Sequence, residues 1–201
     1  MIKGLKICGV SDSETLNYIL NHDHKPSMIG FITNYEKSKR FVEYEKLKNL
    51  INVEKKEVDF ISVLVNPNDE ILEKIKDLNF DYYQLYDVSP NRTREIKSKF
   101  QKKIITALTI SSKVEVNKYK DYSEISDIIL FDSKGYDKSE SFDHSLLDGV
   151  PSELNKMIAG NIQINDIPNF KNKNYIVDLS GALEDQNGKK DLNKIDKLLN
   201  L

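Results

Sequence analysis

The chain has 201 residues, with 30 Lys and Arg against 32 Asp and Glu, so its formal net charge is -2. Charges of both signs are interspersed, which argues against the basic face of a nucleic-acid-binding protein, and no apolar segment approaches the length that spans a bilayer. Because the chain also has one cysteine and no signal-peptide pattern, we expect a cytoplasmic protein with no membrane and no nucleic-acid partner.

The first predicted element is a strand that ends at the only cysteine, Cys8. The apolar run before it predicts a buried strand, Gly9 allows the chain to turn, and Ser11 and Glu14 have the spacing of a capping box that begins a helix. Cys8 is therefore expected at the carboxyl end of a strand, where α/β folds bind ligands. A lone cysteine also commonly packs in a core, so this segment alone leaves a purely structural role open.

The same alternation of strand and helix continues to the C-terminus. The predicted strands are residues 5–8, 27–32, 58–65, 82–85, 103–108, 128–132, 157–160 and 175–178. The predicted helices are residues 11–21, 41–50, 67–78, 89–100, a segment starting at 112, 145–147, 164–170 and 192–199. Strands that each precede a helix, joined by short connections, favour a closed (β/α)₈ TIM barrel of parallel strands, formed by residues 1–201 as a single domain, over an open doubly wound sheet. The Gly-x-Gly-x-x-Gly pattern of dinucleotide-binding folds is not found.

In such a barrel, the residues at the carboxyl ends of the strands line the rim where function is expected. They are Cys8, Arg40, Gln84, Asp132, Gly160, Asp178 and Ser180. A thiol and a carboxyl group on one rim can serve as general base and general acid. An aspartate at a strand end is more often a helix cap or a loop hydrogen-bond acceptor. The presence of Cys8 on the same predicted rim, however, favours a catalytic role for Asp132.

Several segments, in order from Lys3 to Leu201, resemble the phosphoribosylanthranilate isomerase family of tryptophan biosynthesis. The most specific are Lys-Ile-Cys-Gly at 6–9 and the Glu-x-x-x-Gly-x-Lys-Asp pattern at 184–191. The others are Gly30-Phe31, Ser38 to Val42, Val63 to Asn66, Gln84-Leu85, Leu130 to Asp132 with Phe142-Asp143, and Val177 to Ser180. The family's fold is the (β/α)₈ barrel, in agreement with the strand count.

The resemblance implies an Amadori rearrangement of N-(5-phosphoribosyl)anthranilate, with no metal and no cofactor. Asp132 would protonate the furanose ring oxygen, and Cys8 would then remove a proton from the carbon next to the resulting iminium. These roles need opposite protonation states, because an unperturbed thiol has a pKa of about 8.5 and an unperturbed aspartate one of about 3.9. Lys6 shares a strand face with Cys8, but the sequence does not indicate whether it tunes the thiol.

The resemblance also implies the substrate-binding residues. Arg40 matches the position that holds the anthranilate carboxylate, for which a guanidinium fork is suited. Gln84 and Asp178 would also contact the substrate, with Asp178 orienting the anthranilate amine. The phosphate would lie at the loops after the seventh and eighth strands, beside Gly160, Ser180 and Gly181.

This sequence departs from the family pattern in four loops. Gln-Leu-His-Gly has become Gln84 to Asp87, so Tyr86 stands where the family has His. The usual glycines are replaced at 136–141, where Lys138 is a candidate phosphate contact, and the patterns after strands seven and eight read Gly160-Asn161 and 180–182. Three readings follow: a diverged but working isomerase, which we favour, a related phosphosugar isomerase or epimerase with another substrate, and a barrel that lost activity and binds a partner. A monomer and a homodimer are both open.

Overall fold

The computed structural model describes residues 2–133 and 141–201, in which eight parallel strands close into a barrel in chain order. The strands are β1 (Gly4–Cys8), β2 (Met28–Ile32), β3 (Asp59–Val65), β4 (Tyr82–Tyr86), β5 (Lys103–Ile110), β6 (Ile128–Ser133), β7 (Lys156–Ile158) and β8 (Tyr175–Leu179). Each strand pairs with the next, and β8 pairs with β1. The predicted (β/α)₈ barrel is therefore confirmed.

Helices cover the outside of the barrel. The α-helices are α1 (Ser13–Asn21), α2 (Tyr44–Leu50), α3 (Asp69–Ile75), α4 (Pro90–Phe100), α5 (Lys113–Asn117) and α6 (Leu192–Leu199), and the 3₁₀-helices are Lys118–Asp121, His144–Leu147, Ile164–Phe170 and Gly181–Leu183. Within residues 2–133 and 141–201, no helix is long and apolar enough to cross a membrane.

Alternation along the strands divides the core into two layers. Outward-facing side chains such as Ile7 on β1 pack under the helices, whereas inward-facing ones such as Ile61 and Leu130 fill the barrel. Near the carboxyl ends of the strands, the interior residues become polar or reactive. These are Lys6, Cys8, Gln84, Tyr86, Asp132 and Asp178. The barrel interior is thus apolar except near the carboxyl ends of the strands, where it is polar; we call this end of the barrel the mouth.

Helices α1, α2 and α3 begin later than predicted, and α3, expected from residue 67, begins at Asp69. The cap of α1 is Asp12 rather than Ser11, because the Asp12 carboxylate accepts a hydrogen bond from the Thr15 backbone N–H at 2.8 Å. The second helix was expected from residue 41 but begins at Tyr44. Phe41 instead forms a parallel bridge with Ile32 at the end of β2, so the preceding residue, Arg40, is held beside the barrel mouth.

The helices after β6 and β7 are short. The weak helical patch predicted at 145–147 and the helix predicted at 164–170 are both 3₁₀-helices. In the second, Pro168 lacks the N–H that an α-helix would need at that position. The proposed phosphate contact Lys138 lies outside the described residues.

Candidate active site

Cys8 is the last residue of β1 and lies buried inside the barrel mouth. It has room there because the adjacent strand carries Gly30, where a Cβ atom would lie 2.9 Å from the Cys8 Sγ and 3.2 Å from the Lys6 Nζ. Any larger residue at that position would push the thiol and the ammonium group out of place. After Cys8, Gly9 adopts a φ of +79° and turns the chain away.

Lys6 lies beside Cys8 and makes a fully buried ion pair. Its Nζ donates to the Asp178 Oδ2 at 2.6 Å, joining β1 to β8. Burial disfavours the Lys6 ammonium, but Asp178 and Cys8 outweigh that effect, so the pKa of Lys6 lies above its usual value. Burial raises the pKa of the Cys8 thiol, and the Lys6 charge opposes the shift. A fixed positive charge thus faces the thiol.

Asp132 lies on the inner face of β6 and is held from two sides. The Tyr86 hydroxyl donates to its Oδ2 at 2.7 Å, and the backbone N–H of Ser133 donates to its Oδ1 at 2.8 Å. Burial raises the pKa of Asp132 to about 6, the hydrogen bond from Tyr86 opposes that shift, and the charge of Asp178 adds to it. Asp132 therefore exchanges a proton near neutral pH more readily than an ordinary carboxyl group does.

Gln84 is fully buried on β4, with its Nε2 3.3 Å from the Tyr86 Oη, to which it donates. Its Oε1 and the Asp178 Oδ1 are both buried without a hydrogen-bond partner among residues 2–133 and 141–201. Buried polar atoms are nearly always satisfied, so two open acceptors in one mouth are consistent with a ligand that supplies donors.

Arg40 reaches the mouth from the segment after β2 and is held by Glu184. Its Nε and Nη2 both donate to that carboxylate, the latter at 3.1 Å. Gly9 makes room for the arginine, because a Cβ there would clash with the Arg40 Cδ. Gly181 borders the guanidinium, and a Cβ there would lie in ordinary contact, 3.6 Å from the Arg40 Nη2. The guanidinium is thereby fixed close to the ends of β1 and β8.

Among the described residues, the Glu184 carboxylate pairs with three cationic side chains, and these contacts explain the C-terminal sequence pattern. Besides Arg40, it pairs with Lys39 at 2.9 Å and with the buried Lys190 at 3.1 Å. Gly188 leaves space for the Lys39 ammonium, since a Cβ there would lie 2.6 Å from the Nζ. Asp191 caps α6 by accepting from the Asn193 backbone N–H at 2.9 Å. Each defined residue of the Glu-x-x-x-Gly-x-Lys-Asp pattern thus has a structural task.

The three residues predicted to bind phosphate lie in the loops after β7 and β8. Gly160 has a φ of +97° and packs on β6, where its Cβ would lie 2.7 Å from the Ser133 Cβ. The Ser180 hydroxyl donates to the Cys8 carbonyl oxygen at 3.0 Å, and the Lys190 Nζ donates to the Ser180 carbonyl oxygen at 3.0 Å. Gly181 begins the following 3₁₀-helix. Their role in phosphate binding stays a prediction.

The predicted site residues fall into three groups at one end of the barrel. One group lies around β1 and β8 and consists of Cys8, Asp178, Arg40, Ser180 and Gly181. Gln84 on β4 and Asp132 on β6 are linked through the Tyr86 hydroxyl, and Gly160 lies beside β6. Sequence reasoning gave no role to Tyr86 or Glu184 and left that of Lys6 open. Two sequence signals pointed to two of these residues. Lys6 alternates onto the same strand face as Cys8, and Glu184 belongs to the C-terminal sequence pattern.

We expect Glu184→Gln to lower the free energy of unfolding by about 3 kcal/mol at neutral pH, because it leaves the buried Lys190 without its counter-ion. Although burial alone would raise it, the Arg40 hydrogen bond and the charge of Lys190 lower the pKa of Glu184 from 4.5 to about 2. A carboxyl group with a lowered pKa stabilises the fold above its unfolded-state value and loses that effect as pH falls through its folded-state value.

The loss in Glu184→Gln should therefore be complete above pH 4.5 and shrink as the pH approaches 2. Urea unfolding at several pH values measures it. The exposed Glu124 provides the control, since Glu124→Gln should change stability little. Equal effects of the two substitutions at neutral pH would contradict a stabilising role for the Glu184 network.

Comparisons with known proteins agree with this architecture. A family model for N-(5'-phosphoribosyl)anthranilate (PRA) isomerase matches residues 5–201. The chain is 31% identical to N-(5'-phosphoribosyl)anthranilate isomerase of Staphylococcus haemolyticus, over 95% of this chain and 94% of that protein. It is 29% identical to the Agrobacterium fabrum protein of the same name, over 96% of this chain and 91% of the relative.

Solved structures show the same fold. The structure of phosphoribosyl anthranilate isomerase from Thermotoga maritima has a TM-score of 0.86 and 24% identity, over 99% of this chain and 97% of that one. A phosphoribosyl anthranilate isomerase in complex with reduced 1-(o-carboxyphenylamino)-1-deoxyribulose 5-phosphate has a TM-score of 0.83 and 22% identity, with the same coverage. The family match over nearly the whole chain confirms the resemblance seen in the sequence. The chain belongs to the N-(5'-phosphoribosyl)anthranilate isomerase family.

Proposed function

We propose that this chain catalyses the Amadori rearrangement of N-(5-phosphoribosyl)anthranilate to 1-(2-carboxyphenylamino)-1-deoxyribulose 5-phosphate, with Asp132 as general acid and Cys8 as general base. The observation that carries the proposal is the presence of a thiol and a carboxyl of raised pKa in one barrel mouth of a member of this family. The two groups match the two proton transfers that the reaction requires.

In the first step, Asp132 gives its proton to the furanose ring oxygen. The bond between that oxygen and the anomeric carbon breaks, and the lone pair of the anthranilate nitrogen forms an iminium. Burial holds the Asp132 pKa at about 6, so more of the carboxyl is protonated near neutral pH than at an ordinary aspartate. The Tyr86 hydroxyl and the Ser133 N–H then stabilise the carboxylate that remains.

In the second step, the Cys8 thiolate removes the proton from the neighbouring carbon, which gives an enolamine that tautomerises to the ketose product. Burial opposes formation of the thiolate, whereas Lys6 favours it. The cationic iminium adds a second positive charge beside the sulfur at the moment when the base is needed. Gly30 keeps the thiol and the Lys6 ammonium within one small space.

The anthranilate part of the substrate would lie between β1, β4 and β8. Arg40 has one terminal nitrogen, Nη1, outside the two hydrogen bonds that it gives to Glu184, and this group suits the substrate carboxylate. The open acceptor atoms, Asp178 Oδ1 and Gln84 Oε1, suit the anthranilate amine and the ribose hydroxyl groups. The phosphate would lie at the β7 and β8 loops, beside Gly160, Ser180 and Gly181.

We expect Arg40→Ala to raise the Michaelis constant by about tenfold to a hundredfold with a much smaller change in kcat, because a carboxylate clamp acts on substrate and transition state alike. Steady-state kinetics measure both constants. Lys39→Ala is the matched control, since Lys39 also pairs with Glu184 but its side chain is 58% exposed. A Michaelis constant that Arg40→Ala leaves unchanged would contradict the clamp assignment.

The function as a whole is tested by expressing the gene in an isomerase-deficient tryptophan auxotroph. Growth without tryptophan is expected from the parent gene and not from the Cys8→Ala gene expressed at the same level. Failure of the parent gene to restore growth, with the folded protein present, would contradict the proposal and favour another phosphosugar substrate or a binding role. The proposed location is the cytoplasm, because the small phosphoribosyl substrate belongs to amino-acid biosynthesis.

A further inference from the structure

A chain of hydrogen bonds leads across the mouth from β4 to Asp132 on β6. The Gln84 Nε2 donates to the Tyr86 Oη at 3.3 Å, and the Tyr86 Oη donates to the Asp132 Oδ2 at 2.7 Å. Gln84 is fully buried and Tyr86 is 9% exposed. Buried polar groups are costly unless they are hydrogen-bonded, and here the Gln84 amide nitrogen and the Tyr86 hydroxyl each donate to an acceptor, while the Gln84 Oε1 is left without a partner among residues 2–133 and 141–201.

The Gln84 amide determines which group donates and which accepts in this series of hydrogen bonds. An amide nitrogen can only donate, so Gln84 occupies a lone pair of the Tyr86 oxygen, and the phenolic hydrogen is left to point at Asp132. The other carboxyl oxygen accepts from the Ser133 backbone N–H at 2.8 Å. Two donors on two oxygens fix both the position and the rotation of the carboxyl group.

Other charged groups also act on Asp132 from strands elsewhere in the barrel. Burial raises its pKa, and the charge of Asp178 on β8 adds to this shift, while Tyr86, the Ser133 N–H and Lys6 on β1 oppose it. Of these groups, Tyr86 is the side chain that donates a hydrogen bond to Asp132. Tyr86 itself stays protonated, because burial and then the charge of Asp132 hold its pKa well above the usual value.

We propose that Tyr86 is the positioning residue for the general acid, with Gln84 orienting the Tyr86 hydroxyl. This inference rests on the proposed function of Asp132. During ring opening, the proton passes from Asp132 to the ring oxygen and the carbon–oxygen electron pair moves to that oxygen. Tyr86 keeps its own proton and strengthens its hydrogen bond to the carboxylate left behind. The tyrosine that replaces the histidine of the family pattern thus acts in ring opening by holding the Asp132 carboxyl group in place.

The test is Tyr86→Phe, which removes the hydroxyl and little else. We expect the Asp132 pKa to rise above its parent value of about 6, since the donor that favours the carboxylate is gone. Titration of the ligand-free protein, labelled with ¹³C at aspartate carboxyl carbons and assigned with Asp132→Asn, measures this pKa. We also expect kcat to fall about tenfold with little change in the Michaelis constant.

Tyr83→Phe is the matched control. Tyr83 lies on the same strand, is fully buried, faces the opposite side, and its hydroxyl has no hydrogen-bond partner among residues 2–133 and 141–201. Losing that hydroxyl should move neither the Asp132 titration nor kcat. Gln84→Met should shift the Asp132 titration in the same direction as Tyr86→Phe, and it provides a second variant should the first not fold.

An Asp132 titration and a kcat that are the same in Tyr86→Phe, Tyr83→Phe and the parent would overturn the inference. The titration needs no substrate, so it distinguishes this failure from failure of the proposed function. If the titration moves but Asp132→Asn turns over normally, the hydrogen bond is real and the acid assignment is wrong. A kcat loss without any movement of the titration would also count against Tyr86, because simple loosening of the fold would explain it.

Discussion

Cys8→Ala is expected to lower kcat by about 10²–10⁴-fold, the range that general-base catalysis supplies, because it removes the thiol that lies against Gly30 and Lys6. The fold should persist, since alanine is smaller and the strand is held by its pairing with β2 and β8. Steady-state assays give the turnover, and thermal unfolding shows whether the protein is intact.

Cys8→Ser serves as the control for shape. Serine keeps nearly the same volume, but its hydroxyl ionises far less readily than a thiol, so it should be almost as inactive as alanine. If the serine or the alanine variant turned over near the parent rate, Cys8 would be a packing residue, and the base would have to be sought elsewhere in the mouth.

Asp132→Asn is expected to nearly stop ring opening while leaving substrate binding largely intact. The amide retains the size of the carboxyl group and an oxygen that can accept from Tyr86, but it has no acidic proton to give. Single-turnover product formation measures the chemical step, and equilibrium binding to the same variant measures affinity. Binding should therefore survive when catalysis is lost.

Asp178→Asn distinguishes the role of Asp178 from that of Asp132. It removes the counter-charge of the buried Lys6, so we expect weaker stability and poorer substrate orientation rather than loss of the acid step alone. Near-parent turnover in Asp132→Asn, combined with inactive Asp178→Asn, would transfer the role of general acid to Asp178.

The barrel was predictable because each strand is a nearly continuous apolar run followed by a polar residue or glycine. A parallel sheet covered on both sides needs such runs, and their number and order then favoured closure. The position of Cys8 at the end of β1 followed from the same reasoning. Side-chain alternation also placed Lys6 on the inner face with Cys8.

The contacts that shape the site were not predictable from the sequence. Tyr86 and Asp132 lie 46 residues apart, and Arg40 and Glu184 lie 144 residues apart. Such pairs depend on strand register and on loop paths, which local patterns do not specify. The late start of α2 has the same origin, because the bridge between Ile32 and Phe41 forms only when the end of β2 is in place.

The most direct measurement of the central proposal is the conversion of N-(5-phosphoribosyl)anthranilate by the purified protein, followed by chromatography of the product. The proposed mechanism predicts rapid formation of 1-(2-carboxyphenylamino)-1-deoxyribulose 5-phosphate by the parent, and product at the uncatalysed rate from the variant that carries both Cys8→Ala and Asp132→Asn. Product formation by the parent no faster than the uncatalysed reaction, or by the double variant as fast as by the parent, would contradict it.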